Sequence, residues 1–163
     1  LKYIDEQTNL KQFYFGTDSF EYVWEKLIDR VYGIKDKYKF FPRTRWYLKG
    51  KVKENYALEP DSIMLHNGKI YVLDAKYYRY GITGNPMHLP ESSSINKQIT
   101  YGEYIYTQER FKREYGDDVP VYNAFLMPYN SAKNVFGFDS IYGNIGEAKG
   151  DWKVGDHNYR ALL

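Results

Sequence analysis

Cysteine is absent from the 163 residues. That one absence excludes a disulfide framework, a thiolate-held zinc site and a thiol nucleophile, and a reducing, cytoplasmic setting is the expectation that goes with it. Long apolar runs are missing too. Nothing approaches the ~18 residues of a membrane-spanning helix, and the opening Leu1-Lys2-Tyr3-Ile4-Asp5 lacks a signal-peptide pattern, so no membrane association is expected. Net charge is small: 23 Lys and Arg against 21 Asp and Glu leave +2, too little by itself to argue for a polyanionic partner. There is no glycine-rich phosphate loop, so no cofactor-binding residues are assigned and any use of a nucleoside triphosphate belongs to a partner. The three histidines, His66, His88 and His157, are scattered without ligand spacing. No repeat or interior linker divides the chain, and its length suits one folded domain over residues 1–163. The missing initiator Met leads us to expect a piece of a longer protein.

What is abundant is aromatic: 19 Tyr, 9 Phe and 3 Trp, which fill cores more often than they stack on ligands. Apolar residues at 20, 23, 24, 27, 28 and 31 predict a helix from Phe20 to Val31 with that stripe on the core, capped by Asp18 or Ser19 and ended by Gly33. A basic and aromatic stretch, Lys37 to Lys53, predicts a strand with loops around Pro42 and Gly50. Its run Arg43-Thr44-Arg45-Trp46 and its Lys49, Lys51 and Lys53 suit phosphate contacts better than base edges, although such runs are commonly solvated faces. Two strands, Leu58–His66 and Lys69–Tyr77, flank Asn67-Gly68, the strongest short hairpin signal. A Gly/Pro/Ser-rich loop, Arg79 to Ser93, leads to a helix from Ser93 or Ser94 to Tyr115. A buried strand follows over Val119–Met127, and another is expected over Asn134–Tyr142. The last twenty residues carry no clear pattern. The order predicts an α/β domain with a mixed central sheet flanked by helices.

The hairpin brings chemistry together. If Asn67-Gly68 is a two-residue turn, His66 pairs with Lys69, Asp61 falls opposite Asp74 and Glu59 opposite Lys76, all four on one face. Facing β-carbons lie about 4.5–5.5 Å apart and like charges there repel. A hard divalent cation offsets that repulsion, because it takes carboxylate oxygens, water and substrate phosphate. Magnesium is the expected ion, with manganese as a substitute. Asp61, Asp74 and the main chain of Ala75 are the candidate ligands, and Lys76 would orient water or stabilise charge on a phosphate. The alternative is a solvated hairpin end with Lys76 in an ordinary salt bridge. The apolar runs Ile63-Met64-Leu65 and Tyr71-Val72-Leu73 argue instead for a buried, central hairpin and a functional site at its end.

Pro60-Asp61, twelve intervening residues and then Asp74-Ala75-Lys76 resemble the PD-(D/E)XK nuclease motif. Leu58 to Leu65, Tyr71 to Tyr78 and Ser94 to Tyr101 resemble LlaJI-type restriction endonucleases and, more distantly, McrC subunits of NTP-dependent restriction systems. The resemblance covers roughly residues 18 to 128. It implies a restriction-endonuclease-like core and a magnesium-dependent endonuclease acting on double-stranded DNA. A second copy of the chain or a partner restriction subunit would supply sequence choice. It also implies a glutamate on the first helix, and a Gln and a Tyr near the metal on the later helix, where Gln98 and Tyr101 stand. The resemblance favours Glu25, whereas the apolar stripe favours Glu21; Glu25 is the choice and Glu21 the alternative. Gln98 joins the candidate catalytic set, its alternative being a buried amide bonded to main chain. A structure-specific repair or recombination nuclease, or an inactive DNA-binding or assembly module, are the other readings of the same residues.

Overall fold

The computed structural model describes residues 19–153 and 160–163, so the expected cap at Asp18 and His157 lie outside the described residues. Among these, the strands form a five-stranded sheet and a separate two-stranded ribbon of β1 (Arg43–Leu48) and β2 (Lys51–Ala57). No helix among them is long and apolar enough to cross a membrane.

The turn at Asn67-Gly68 organises the sheet. Both residues have positive φ, 49° and 70°, the conformation that a two-residue turn matched to strand twist demands. Strands β3 (Ser62–His66) and β4 (Lys69–Ala75) pair antiparallel from His66↔Lys69 to Ser62↔Leu73, in the expected register. The chain then crosses over through the one-turn helix α2 (Tyr80–Thr83) and two longer helices and returns as β5 (Val121–Leu126), parallel to β4. Strand β7 (Arg160–Leu162) adds parallel to β5, and β6 (Glu147–Lys149) closes the far edge antiparallel, giving the order β3-β4-β5-β7-β6. The sheet is mixed, as expected for this α/β class. The hairpin is not central, however: β3 is an edge strand with Leu65 exposed, and only β4 lies inside. β4 is apolar on both faces because helices cover both, as interior strands with parallel neighbours require.

On one face, Ile63, Ile70, Val72 and Val121 pack with Tyr101, Ile105, Phe111 and Phe40. Helix α3 (Ser92–Thr107) supplies this layer. The predicted single helix to Tyr115 is broken at Gln108, whose extended backbone ends α3 and starts α4 (Glu109–Tyr115). The break turns Phe111 inward to stack on Phe40, ring centroids 4.7 Å apart. On the other face α1 (Phe20–Tyr32) lies against β3 and β4. Its predicted stripe is only partly right, because Ile28 is buried while Phe20, Val23, Leu27 and Val31 are exposed. The indole of Trp24 donates to the Leu126 carbonyl at 2.9 Å, which pins the helix with Trp24, Ile28 and Tyr32 toward the sheet.

The expected strand over Asn134–Tyr142 does not form. Asn134 has φ of 38°, and its amide both donates to the Phe138 carbonyl and accepts from the Phe138 N–H, each at 2.9 Å. A side chain that meets two main-chain groups locally removes the demand for a sheet partner. The patternless C-terminal stretch instead contributes β6 and β7, strands of three residues each, too short to show alternation.

Helix α3 comes closest to β5 at Gly102, where an added Cβ would stand 2.4 Å from Asn123 Nδ2 and 2.6 Å from its Oδ1. Gly102→Ala is therefore expected to destabilise the fold by about 1–3 kcal/mol through overpacking, read as a lowered midpoint in urea unfolding. An unchanged midpoint would contradict this packing.

Candidate active site

The site forms where the β3–β4 pairing stops. Pro60 has no N–H to extend the ladder, and the last main-chain pair is Ser62↔Leu73. One residue beyond, the side chain of Asp61 takes over: its Oδ2 accepts from the Ala75 N–H at 2.8 Å. On the other side of β4 the Lys76 N–H donates to the Leu126 carbonyl at 2.9 Å. The end of β4 is thus fixed from both sides, and Asp74 lies in its last turn of pleat, 8% exposed.

Asp61 and Asp74 meet through their side chains, as the hairpin count requires. Burial first, then the hydrogen bond and the charge of Asp74, push the Asp61 carboxyl up to about 7, against the lowering effect of the Ala75 N–H. The charge of Glu25 adds to the rise. Lys76 Nζ sits 2.8 Å from both Asp74 oxygens. Burial alone would lower the Lys76 ammonium, but the contact with Asp74 and the charges of Asp74 and Asp61 raise it overall. Above pH 7, with Asp61 ionised, the two carboxylates and one ammonium share a half-buried corner with one negative charge in excess.

The surrounding residues divide clearly. Glu25 is half-buried on α1 and near enough for its charge to act on Asp61, while Glu21 is exposed. Glu59 is exposed and outside the ladder, so the expected Glu59–Lys76 pairing gives way to Lys76–Asp74. Gln98 is fully buried, and its Nε2 donates to the Val72 carbonyl at 2.7 Å and to Ala124 at 3.4 Å. Its amide clamps β4 to β5 and does not reach solvent. Tyr101 is also buried, its hydroxyl raised first by burial and then by the charges of Asp74, Asp61 and Glu59. His66 is exposed at the distant turn, and His88 Nδ1 lies 2.9 Å from Thr83 Oγ1, so neither joins the site.

Lys37 escaped the sequence reading. Its Nζ donates to the Asp61 carbonyl at 2.7 Å and pairs with Asp29 of α1 at 2.7 Å. It fastens the main chain of Asp61 to the first helix. No spacing signals this, because Lys37 stands 24 residues from Asp61 on a 3-10 turn whose position depends on burying Phe40.

The profile of the LlaJI restriction endonuclease family matches residues 1–145. The chain belongs to the LlaJI restriction endonuclease family. It is accordingly a restriction-type DNA endonuclease, with DNA as its substrate. No curated protein and no solved structure matches it significantly. In this LlaJI-family enzyme no group of three or more His, Cys, Asp and Glu side chains is placed to hold a metal among the described residues. The oxygen donors at the corner are two carboxylates, which is the number a hydrated magnesium ion commonly takes from protein.

The electrostatics give a pH test. The folded-state pKa of Asp61, about 7, exceeds the ordinary 3.8. The folded protein therefore holds this proton more tightly than the unfolded chain, and stability from this group is lost as pH rises from 3.8 through about 7. Asp61→Asn keeps an acceptor for the Ala75 N–H and removes the charge. In EDTA it should exceed wild type in stability at pH 8 by on the order of 1–2 kcal/mol, discounted for solvent screening, with the gap closing toward pH 4. Urea melts of both proteins across that range check it. Equal stability at pH 8 would mean that the two carboxyls do not strain one another.

Proposed function

We propose that this chain hydrolyses DNA phosphodiesters at a PD-(D/E)XK-type site in which Asp61, Asp74 and the main chain of Ala75 hold a magnesium ion, or manganese in its place. The observation that supports it most is the contact of two carboxyls beside a lysine at the end of a rigid strand. A proton relieves that crowding at low pH, and a divalent cation would relieve it better at neutral pH. In an extended strand the N–H and C=O of one residue face the same side. With the Ala75 N–H turned to Asp61, its carbonyl is the natural third oxygen. When bound, the ion would supply Lewis acidity toward a phosphate oxygen and make bound water a better nucleophile.

The chain's own residues do the rest. Asp61 and Asp74 position their oxygens without main-chain freedom, since Ala75 and Lys76 are tied to Asp61 and Leu126. Lys76 carries its ammonium at the Asp74 carboxylate, and moving it onto a phosphate oxygen as charge develops stabilises the transition state. Glu25, half-buried on α1 with its charge acting on Asp61, is the helix acid that assists the site. Gln98 is a positioning residue, because its amide fixes β4 relative to β5 and touches no solvent. A role in restriction, as the cleavage unit of a type II or NTP-dependent enzyme, is the biological setting this reading carries.

Plasmid DNA incubated with the protein in Mg²⁺, with EDTA as control, tests the reaction directly. Asp74→Ala and Lys76→Ala should each lower the cleavage rate by at least on the order of 10²–10³-fold while circular dichroism shows a folded protein. Asp61→Asn should also lose the rise in melting temperature that Mg²⁺ gives the wild type. Cleavage undiminished in a folded Asp74 or Lys76 variant would overturn the site, and cleavage undiminished in EDTA would overturn the metal.

A further inference from the structure

The two-stranded ribbon is the part of the molecule whose sequence makes least sense in isolation. Strands β1 (Arg43–Leu48) and β2 (Lys51–Ala57) pair only with each other, around a two-residue turn at Lys49-Gly50. Gly50 has φ of 78° and open space around it, so the turn stands clear of the body at that residue. Every residue of β1 is exposed, as are Lys51 to Glu54 of β2. Trp46 is 60% exposed, Tyr47 76%, Val52 59% and Tyr56 97%. An isolated hairpin is marginal in water, and one that shows aromatic side chains on an otherwise bare surface calls for a partner.

Charge says which partner. Residues 43–57 hold Arg43, Arg45, Lys49, Lys51 and Lys53 against Glu54 alone, 5 − 1 = +4, whereas the whole chain is 23 − 21 = +2. Outside the ribbon the described residues carry 16 Lys and Arg against 16 Asp and Glu, so the ribbon is a basic finger on a neutral body. Its two faces differ. On one, Arg45 and Arg43 are spent on Glu54, at 3.1 and 3.2 Å. On the other, the register Trp46↔Lys53 and Leu48↔Lys51 places two lysines beside two apolar side chains. Among the described residues no carboxylate forms an ion pair with Lys49, Lys51 or Lys53.

The base of the ribbon adjoins the catalytic corner. The Leu58 N–H donates to the Pro42 carbonyl at 2.8 Å, closing the ribbon, and Asp61 follows three residues later. A strand of this length extends ~20 Å and the three residues add ~10 Å, so the tip stays within about one turn of a DNA duplex, ~34 Å. The major groove admits a two-stranded β-ribbon.

We propose that the β1–β2 ribbon is the duplex-engaging element of this enzyme. Its Trp46/Leu48/Lys51/Lys53 face and its Lys49 tip lie in the major groove of the DNA whose phosphodiester stands at Asp61 and Asp74. The inference rests on the nuclease reading above. It deepens that reading by assigning the substrate contact to residues outside the catalytic corner. Lys49, Lys51 and Lys53 neutralise phosphates on the groove walls, and Trp46 and Leu48 offer apolar contact to base edges such as a thymine methyl.

The test uses the full chain and a fluorescent duplex in EDTA, so that binding is read without cleavage. The triple variant Lys49→Gln, Lys51→Gln, Lys53→Gln should raise Kd by on the order of tenfold or more at moderate salt. It should also flatten the log Kd against log salt slope by about one unit per lysine, with an unchanged circular dichroism spectrum. A photocrosslinking p-benzoylphenylalanine replacing Leu48 should capture DNA, and one replacing Leu65 at the distant edge should not. A triple variant with wild-type Kd and slope overturns the ribbon assignment and leaves the nuclease reading standing, as does crosslinking from position 48 to a second protein chain in place of DNA. A wild type that neither binds nor cuts duplex overturns both.

Discussion

Everything at the active corner follows from forcing two carboxyls together at the point where a β-ladder ends. Pro60 cannot continue the pairing, so the Asp61 side chain substitutes for the missing rung by accepting from Ala75. That hydrogen bond holds Asp61 against Asp74, and burial prevents water from screening the repulsion. The result is a strained preference for positive charge, met by a proton on Asp61 and the ammonium of Lys76. Lys76 relieves only part of it, since one ammonium faces two acids with Glu25 adding its own charge. A scaffold optimised for stability alone would place an apolar pair there. Retaining the acids costs stability, a strain of the kind that collects at functional sites.

The scaffold's other features can be understood as holding that corner still. Trp24 hangs α1 on the Leu126 carbonyl, and Lys37 joins the same helix to the Asp61 main chain. Gln98 stitches β4 to β5 from the opposite face. These three polar side chains hold β4, β5 and the main chain of Asp61 through main-chain carbonyls, which do not titrate. The frame around the site is therefore insensitive to the protonation changes within it, a useful separation where charge must move during catalysis.

How legible this was depends on the range of each interaction. The hairpin register was readable because Asn67-Gly68 fixes it locally and side chains alternate without ambiguity. From it came the meeting of Asp61 and Asp74. β4 and β5 were readable as buried strands because both of their faces are covered. Position within the sheet was not readable, and apolar residues on β3 suggested a central strand where an edge strand stands. The stripe on α1 misled for a related reason: periodicity gives a face, but the bond from Trp24 to Leu126, 102 residues away, decides which face is buried. Breaking the long helix at Gln108 needed knowledge of where Phe40 would lie. The strands β6 and β7 are too short for any pattern.

The ribbon marks a different boundary. Its basic residues were visible in the sequence, yet a small net charge argued against strong electrostatic binding. Net charge averages over the chain, while a polyanion responds to potential at the surface it touches. Concentrating +4 on a finger, beside a body whose described residues sum to zero, gives the molecule a direction in a field that its total does not reveal. Such a dipole favours approach with the ribbon toward the duplex. It also keeps the acidic corner from being the first group to meet phosphate, which two carboxylates would repel. Binding and chemistry are then carried by adjacent elements of opposite charge, joined by the three residues from Leu58 to Pro60. Because that joint is short and Pro60 is buried, seating the ribbon constrains where the backbone phosphate can lie relative to Asp61. On this view the positive finger does for the substrate what Lys76 does for Asp74: each supplies positive charge beside a negative group.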